Sequence, residues 1–160
     1  MRYDYRIAEL EAVGINYHKI FANWIREKLN QGHYSSILIV GEQDFLITYL
    51  LVRESVSSEY FHLWNEAGPE TRMPRTRIVK PEDFKFEEYD IVIGLFVDKA
   101  FIEKCVKTGV KFILIPDGCN FINSREFKDI YEIFKKYSCP FTVTPLEGAF
   151  PRGRIAFSNL

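Results

Sequence analysis

Five carboxylates stand where an apolar run gives out. Glu42 follows Ile37–Val40, Glu66 follows Tyr60–Trp64, Asp83 follows Arg77–Val79, Asp98 follows Tyr89–Val97 and Asp117 follows Val110–Ile115. The strongest of these runs are β-branched and leucine residues without polar alternation, the pattern of strands covered on both faces. Laid parallel in one open sheet, such strands bind ligands just past their carboxyl ends. The five side chains would then give that edge a negative rim. The loop after the first run, Gly41-Glu42-Gln43-Asp44, has a single glycine. A pyrophosphate needs several, for close backbone approach, together with an uncancelled positive helix end. Glu42 and Asp44 would instead oppose a phosphate by about a few kcal/mol at low effective dielectric. A cationic ligand gains from the same charges. NAD, FAD and nucleoside triphosphates fit poorly, and no Gly-Lys-Ser/Thr phosphate loop occurs.

Each of these residues also has a plainer use. Asp44 can cap a helix made of Phe45–Val52, and Asp98 can cap another that runs to Thr108 with Gly109 as its stop. Asp117-Gly118 reads as a turn, and Glu66 as a solvated strand end. Arg72, Arg75, Arg77 and Lys80 gather around one loop. They form either a solvated surface or, led by Arg72 and Arg75, a grip for an anion. The second role would suit a phosphate-bearing acceptor, a metabolite or nucleic acid.

The elements that must position these residues follow from periodicity. Apolar residues at Ile7, Leu10, Val13, Tyr17, Ile20, Phe21, Trp24, Ile25 and Leu29 predict helix over Tyr3–Leu29, divided or bent at Gly14. Such a lead-in can cover a sheet face, form a lid, or pair with a second subunit as a homodimer built on Tyr17, Phe21 and Trp24. Strands follow at 37–40, 60–64, 77–79, 89–97 and 110–115, then a helix from Asn123 or Ser124 to about Tyr137. Phe141–Thr144 and Arg154–Phe157 are the last strands, and the nine residues between them leave no room for a helix, so they should form an antiparallel hairpin. The expectation is an α/β protein: a three-layer, Rossmann-like open sheet, mostly parallel, with a C-terminal antiparallel hairpin. Residues 1–160 make one domain, 1–32 a helical N-terminal extension and 35–160 the sheet core.

Composition narrows the setting. A 160-residue chain buries roughly two-thirds of its unfolded surface. A formal net charge of -1 gives no global basic field for nucleic acid. No apolar run approaches the roughly 20 residues that cross a bilayer. The N-terminus lacks the apolar core of a signal peptide, so the expected location is the cytoplasm, with no membrane partner. Aromatics at 16% imply a dense core or an aromatic-lined cleft. Cys105, Cys119 and Cys139 are widely spaced, without Cys-x-x-Cys, and read as reduced, mostly buried thiols rather than a metal site.

The order strand, helix, three strands, helix, strand, helix and closing hairpin, with acidic or turn residues at strand ends, resembles the class I S-adenosylmethionine-dependent methyltransferases. In that family a seven-stranded sheet ends with an antiparallel strand inserted beside the fifth. The resemblance spans Ser35–Leu160. It implies S-adenosyl-L-methionine as cofactor, with its methionine part over Gly41, Glu42 and Asp44. It implies Glu66, or alternatively Asn65, on the ribose, and Asp83 beside the adenine with Phe84 against the ring. It implies Gly94 and Phe96 of the fourth strand facing the ligand. The cofactor carries a sulfonium and an ammonium and no phosphate, which agrees in sign with the acidic loop. Methyl transfer is an in-line displacement that needs alignment and at most one base. Asp98 is the leading candidate for that base and Asp117 the second. The family's Gly-x-Gly is here reduced to Gly41, and about ten residues join the second and third strands, near the minimum for a parallel crossover. The sequence therefore predicts a small methyltransferase for an unidentified acceptor. The alternative is a non-catalytic binding or interaction protein of the same fold. A flavodoxin-like module is the third reading, disfavoured by Glu42 and Asp44.

Overall fold

The computed structural model describes residues 2–42, 44–54, 58–63, 75–80, 85–151 and 154–160. The expected lead-in is two helices, α1 (Arg2–Ala12) and α2 (Tyr17–Asn30), broken at Gly14, whose φ of 86° is open to glycine and costly to other residues. Strand β1 (Ser36–Val40) leads to α3 (Leu46–Glu54), β2 (Glu59–Leu63) and β3 (Thr76–Val79). A 3-10 turn at Phe86–Glu88 precedes β4 (Ile91–Val97), followed by α4 (Lys99–Thr108) and β5 (Phe112–Pro116). Helix α5 (Arg125–Lys136) and strands β6 (Thr142–Leu146) and β7 (Arg154–Ser158) complete the chain.

All seven strands join one sheet in the order β3-β2-β1-β4-β5-β7-β6. β1 to β5 are mutually parallel and β7 runs antiparallel between β5 and β6, as expected. The third strand, whose direction the short connection left open, is parallel to the second. Pro145 extends β6 beyond its expected end because an edge strand can spare the missing N–H.

Side-chain alternation divides the core into two layers. Ile37, Ile39, Ile91, Ile93, Leu95, Ile113 and Ile115 face Phe21, Ala22 and Ile25 of α2 and the whole inner surface of α3. Leu38, Val92, Phe112, Leu114 and Phe157 face α4 and α5 on the other side. Part of the aromatic excess is core: Phe134 stacks on Phe141 at 4.4 Å and on Phe157 at 5.4 Å, while Tyr5, Phe121, Tyr131 and Phe150 are exposed. Tyr17 and Phe21 are buried against the sheet, so α2 covers a sheet face and spends these two rings there, with Trp24 partly buried beside them. Cys105 and Cys119 are buried free thiols and Cys139 is half-buried, and burial pushes Cys105 up to about 12. No described helix is long and apolar enough to cross a membrane.

Candidate functional site

Because β1 to β5 run the same way, their carboxyl ends share one edge, and the β6–β7 turn reaches it too. Gly41 opens the loop after β1 with φ of 96°. A Cβ there would lie 2.1 Å from the Leu95 carbonyl oxygen, so this glycine lets the chain lie flat against β4.

The next residues correct one expectation. The cap position of α3 is held by Phe45, a non-glycine residue at φ of 61° with no acceptor in its side chain. The orphan N–H groups of the first turn therefore need other partners. Glu42 reaches back to supply two of them: its Oε2 accepts from the Ile47 N–H at 2.6 Å and its Oε1 from the Thr48 N–H at 3.1 Å. The Thr48 hydroxyl adds a third bond to Oε1 at 2.5 Å. Asp44 Oδ1 takes only the Leu46 N–H, at 3.2 Å. Glu42, 5% exposed, is thus the main cap, its charge set against the positive helix end. The free negative charge of the rim is smaller by that carboxylate.

The other oxygen of Asp44 meets a residue that sequence reasoning passed over. His18 of α2, 3% exposed, brings its Nε2 to 3.2 Å from Asp44 Oδ2. Burial raises the Asp44 carboxyl, but the His18 hydrogen bond, the Leu46 N–H and the His18 charge outweigh it and hold the group below its ordinary value. The pair is 26 residues apart in the chain, and no spacing signals it.

Phe96 lies on a bulge. Register shifts between Leu95 and Val97, and Phe96 takes φ of 57°. One extra residue re-aims the strand: Phe96 turns under α2, 5.7 Å from the Phe21 ring and 5.9 Å from Tyr17, while Val97 turns to the α4 side. Gly94 sits in mid-strand opposite Val40, where an added Cβ would meet Leu114 at 2.9 Å. It makes room for packing rather than lying at the rim.

Asp98 and Asp117 are exposed at the adjoining ends of β4 and β5, and the Asp117 N–H bonds the Val97 carbonyl at 3.0 Å. Asp98 also caps α4 as expected, its Oδ1 accepting from the Phe101 N–H at 2.9 Å. Asn65, Glu66, Asp83, Phe84 and Arg72 lie outside the described residues. Arg75 is a correction: it precedes β3, at the amino edge, and its guanidinium donates to the Val52 carbonyl at 2.9 Å and the Ser58 carbonyl at 3.4 Å. It binds the carbonyl end of α3, across the sheet from the mouth. A cavity of about 440 Å³, lined by Tyr34, Phe86, Tyr89 and Lys111, also opens on that far edge and takes no part in the rim.

No family model matches this sequence, and no curated protein matches it. Solved structures do. The chain matches an O-methyltransferase from Bacillus cereus, determined in complex with SAH, with a TM-score of 0.64 and 11% identity, over 98% of this chain and 90% of that one. It matches a protein assigned as an O-methyltransferase from Klebsiella pneumoniae with a TM-score of 0.64 and 10% identity, over 99% and 89%. A third, assigned likewise and from Nostoc punctiforme, gives a TM-score of 0.60 and 12% identity over 87% of this chain, which spans 55% of that protein's length. At such identities the likeness is one of fold: the chain has the fold of the class I S-adenosylmethionine-dependent methyltransferases.

Proposed function

We propose that the protein binds S-adenosylmethionine at the carboxyl edge of β1 and β4 and transfers its methyl group to an acceptor not yet identified. The sheet order, with β7 inserted antiparallel beside β5, is the observation that carries this reading. It is supported by neighbours of the same fold, among them an O-methyltransferase solved with SAH. The charges present fit the group. Asp44, Asp98 and Asp117 offer half- to fully exposed carboxylates at three strand ends, which favours a sulfonium and an ammonium and disfavours a diphosphate. Bound there, the sulfonium supplies an electrophilic methyl. Asp44 and the backbone at Gly41 would hold the amino-acid end, with Glu42 fixing the loop through α3 rather than touching the ligand. Asp98 is the first candidate to take a proton from the acceptor and Asp117 the second. With Arg75 engaged at the opposite edge, a phosphate-bearing acceptor loses half of the pair that favoured it.

Titration with S-adenosylhomocysteine, by calorimetry and thermal shift, tests the binding step. Ligand at a hundred times its dissociation constant should stabilise the fold by about 2.7 kcal/mol. No shift at millimolar ligand removes the proposal. A second reading, a non-catalytic binding protein of the same fold, is favoured by one observation: Phe96 is engaged by the rings of Tyr17 and Phe21 of α2. Binding of the cofactor without transfer of labelled methyl to any acceptor pool would select it.

A further inference from the structure

Four hydrogen bonds, an ion pair and two ring contacts converge on the first turn of α2. The Asn16 side chain donates from Nδ2 to the Gly148 carbonyl at 3.1 Å, and its Oδ1 accepts from the Phe150 N–H at 2.8 Å. The backbone N–H groups of Asn16 and Tyr17 both donate to the Phe150 carbonyl, at 3.1 and 3.3 Å. One residue on, buried His18 meets half-exposed Asp44, and the Tyr17 ring lies 3.8 Å from the His18 ring and 5.9 Å from Phe96. This turn therefore spans from the β6–β7 turn to the loop after β1, and Tyr17 covers the end of β4 on the way.

We propose that the turn Asn16–His18 is a latch over the mouth between β1 and β4, which must release before an adenosyl ligand can take the Asp44 oxygen that His18 holds; this rests on the binding reading given above. The parts on either side are anchored independently. α1 stays on α3 through buried Ile7, the Tyr3–Tyr49 stack at 5.1 Å and the Arg53–Asp4 pair at 3.0 Å. α2 is fixed from Phe21 onward by side chains with no exposed surface. Between them Gly14, at φ of 86°, has no atom within 4 Å of where a Cβ would stand, so the chain there has room to turn. Release costs the latch contacts and the burial of Tyr17 and His18, and leaves α1 and the part of α2 from Phe21 onward seated. A ligand that needs the released state binds more weakly by the fraction of time that state is populated. Removing the latch returns that factor, roughly tenfold or more if the released state holds a few per cent of the molecules.

S-adenosylhomocysteine affinity of the full-length wild type, Asn16→Ala and His18→Gln, read with amide hydrogen exchange, decides it. The expected result is a dissociation constant roughly tenfold lower in both variants. In the wild type, ligand should speed exchange at the Asn16 and Tyr17 amides while slowing it in β1. The wild-type exchange stands alone if a variant folds poorly. Equal affinities with those two amides unchanged or slowed overturn the latch and leave the binding site intact. Binding by none of the three proteins removes the adenosyl site itself, and the latch with it.

Discussion

At the scale of single residues, the site is governed by how closely backbones approach. Gly41 and Gly14 both sit at positive φ, yet only Gly41 has a carbonyl 2.1 Å from where a Cβ would be. Gly14→Ala should cost the left-handed strain alone, about 1–2 kcal/mol. Gly41→Ala adds a clash that the β1–β4 ladder must absorb, for a total of about 3–5 kcal/mol. Urea unfolding of the two variants checks the difference, and equal losses would mean that the loop does not lie on β4. Asp44 gives a pH signature. Its carboxyl is lowered in the folded state, so the stability it lends is present above the ordinary value of 3.8 and is lost as pH falls below it. The stability gap between wild type and Asp44→Asn should therefore be open at pH 7 and close in acid. A gap that widens in acid would contradict the His18 contact.

Helix ends were the most legible part of the sequence, because a cap is a local bargain between one side chain and the next turn. Asp98 and Gly109 stand where their residue types said they would, and of the two residues open for the start of α5, Asn123 and Ser124, the serine is the cap. The exception, α3, failed for a local reason too. Phe45 occupies its cap position with a buried ring, and the duty passes to Glu42, which is too far from the cap for a short motif to reveal. The bulge at Phe96 and the pairing of His18 with Asp44 are products of sheet register and tertiary packing, and nothing within a few residues encodes them. Asp98 has two duties open to it, and one substitution separates them. Asn caps helices about as well as Asp, so Asp98→Asn should keep the melting temperature of the wild type, whereas Asp98→Ala should lose about 1 kcal/mol. If the carboxylate also serves as base, Asp98→Asn should lower methyl transfer by roughly a hundredfold or more. A variant with unchanged turnover would leave Asp98 as a cap alone.

For the molecule as a whole, the strands and the closing hairpin were legible in the sequence. The seven-stranded sheet was implied by the family their order resembles, and the direction of the third strand stayed open because its connection is so short. The standing of the N-terminal segment was not legible, because an amphipathic helix looks the same whether it covers its own sheet or another chain. The structure separates its two halves. α1 buries one side chain fully enough to count as core, Ile7. α2 buries Tyr17, His18, Phe21, Ala22 and Ile25 against Ile37, Ile39 and Leu95. Full burial of each large apolar side chain contributes about 1.5–3 kcal/mol, and α2 covers the opposing strand residues as well. Loss of that layer would exceed much of the roughly 5–15 kcal/mol that holds a domain folded. A chain starting at residue 15 should therefore fold with a loss of about 2–4 kcal/mol, its cooperative transition intact. A chain starting at residue 33 should lack a cooperative thermal transition and expose the face of β1 and β4 to dye binding. A cooperative transition in that shorter chain would make α2 an appendage, and the sheet alone would then be the folding unit.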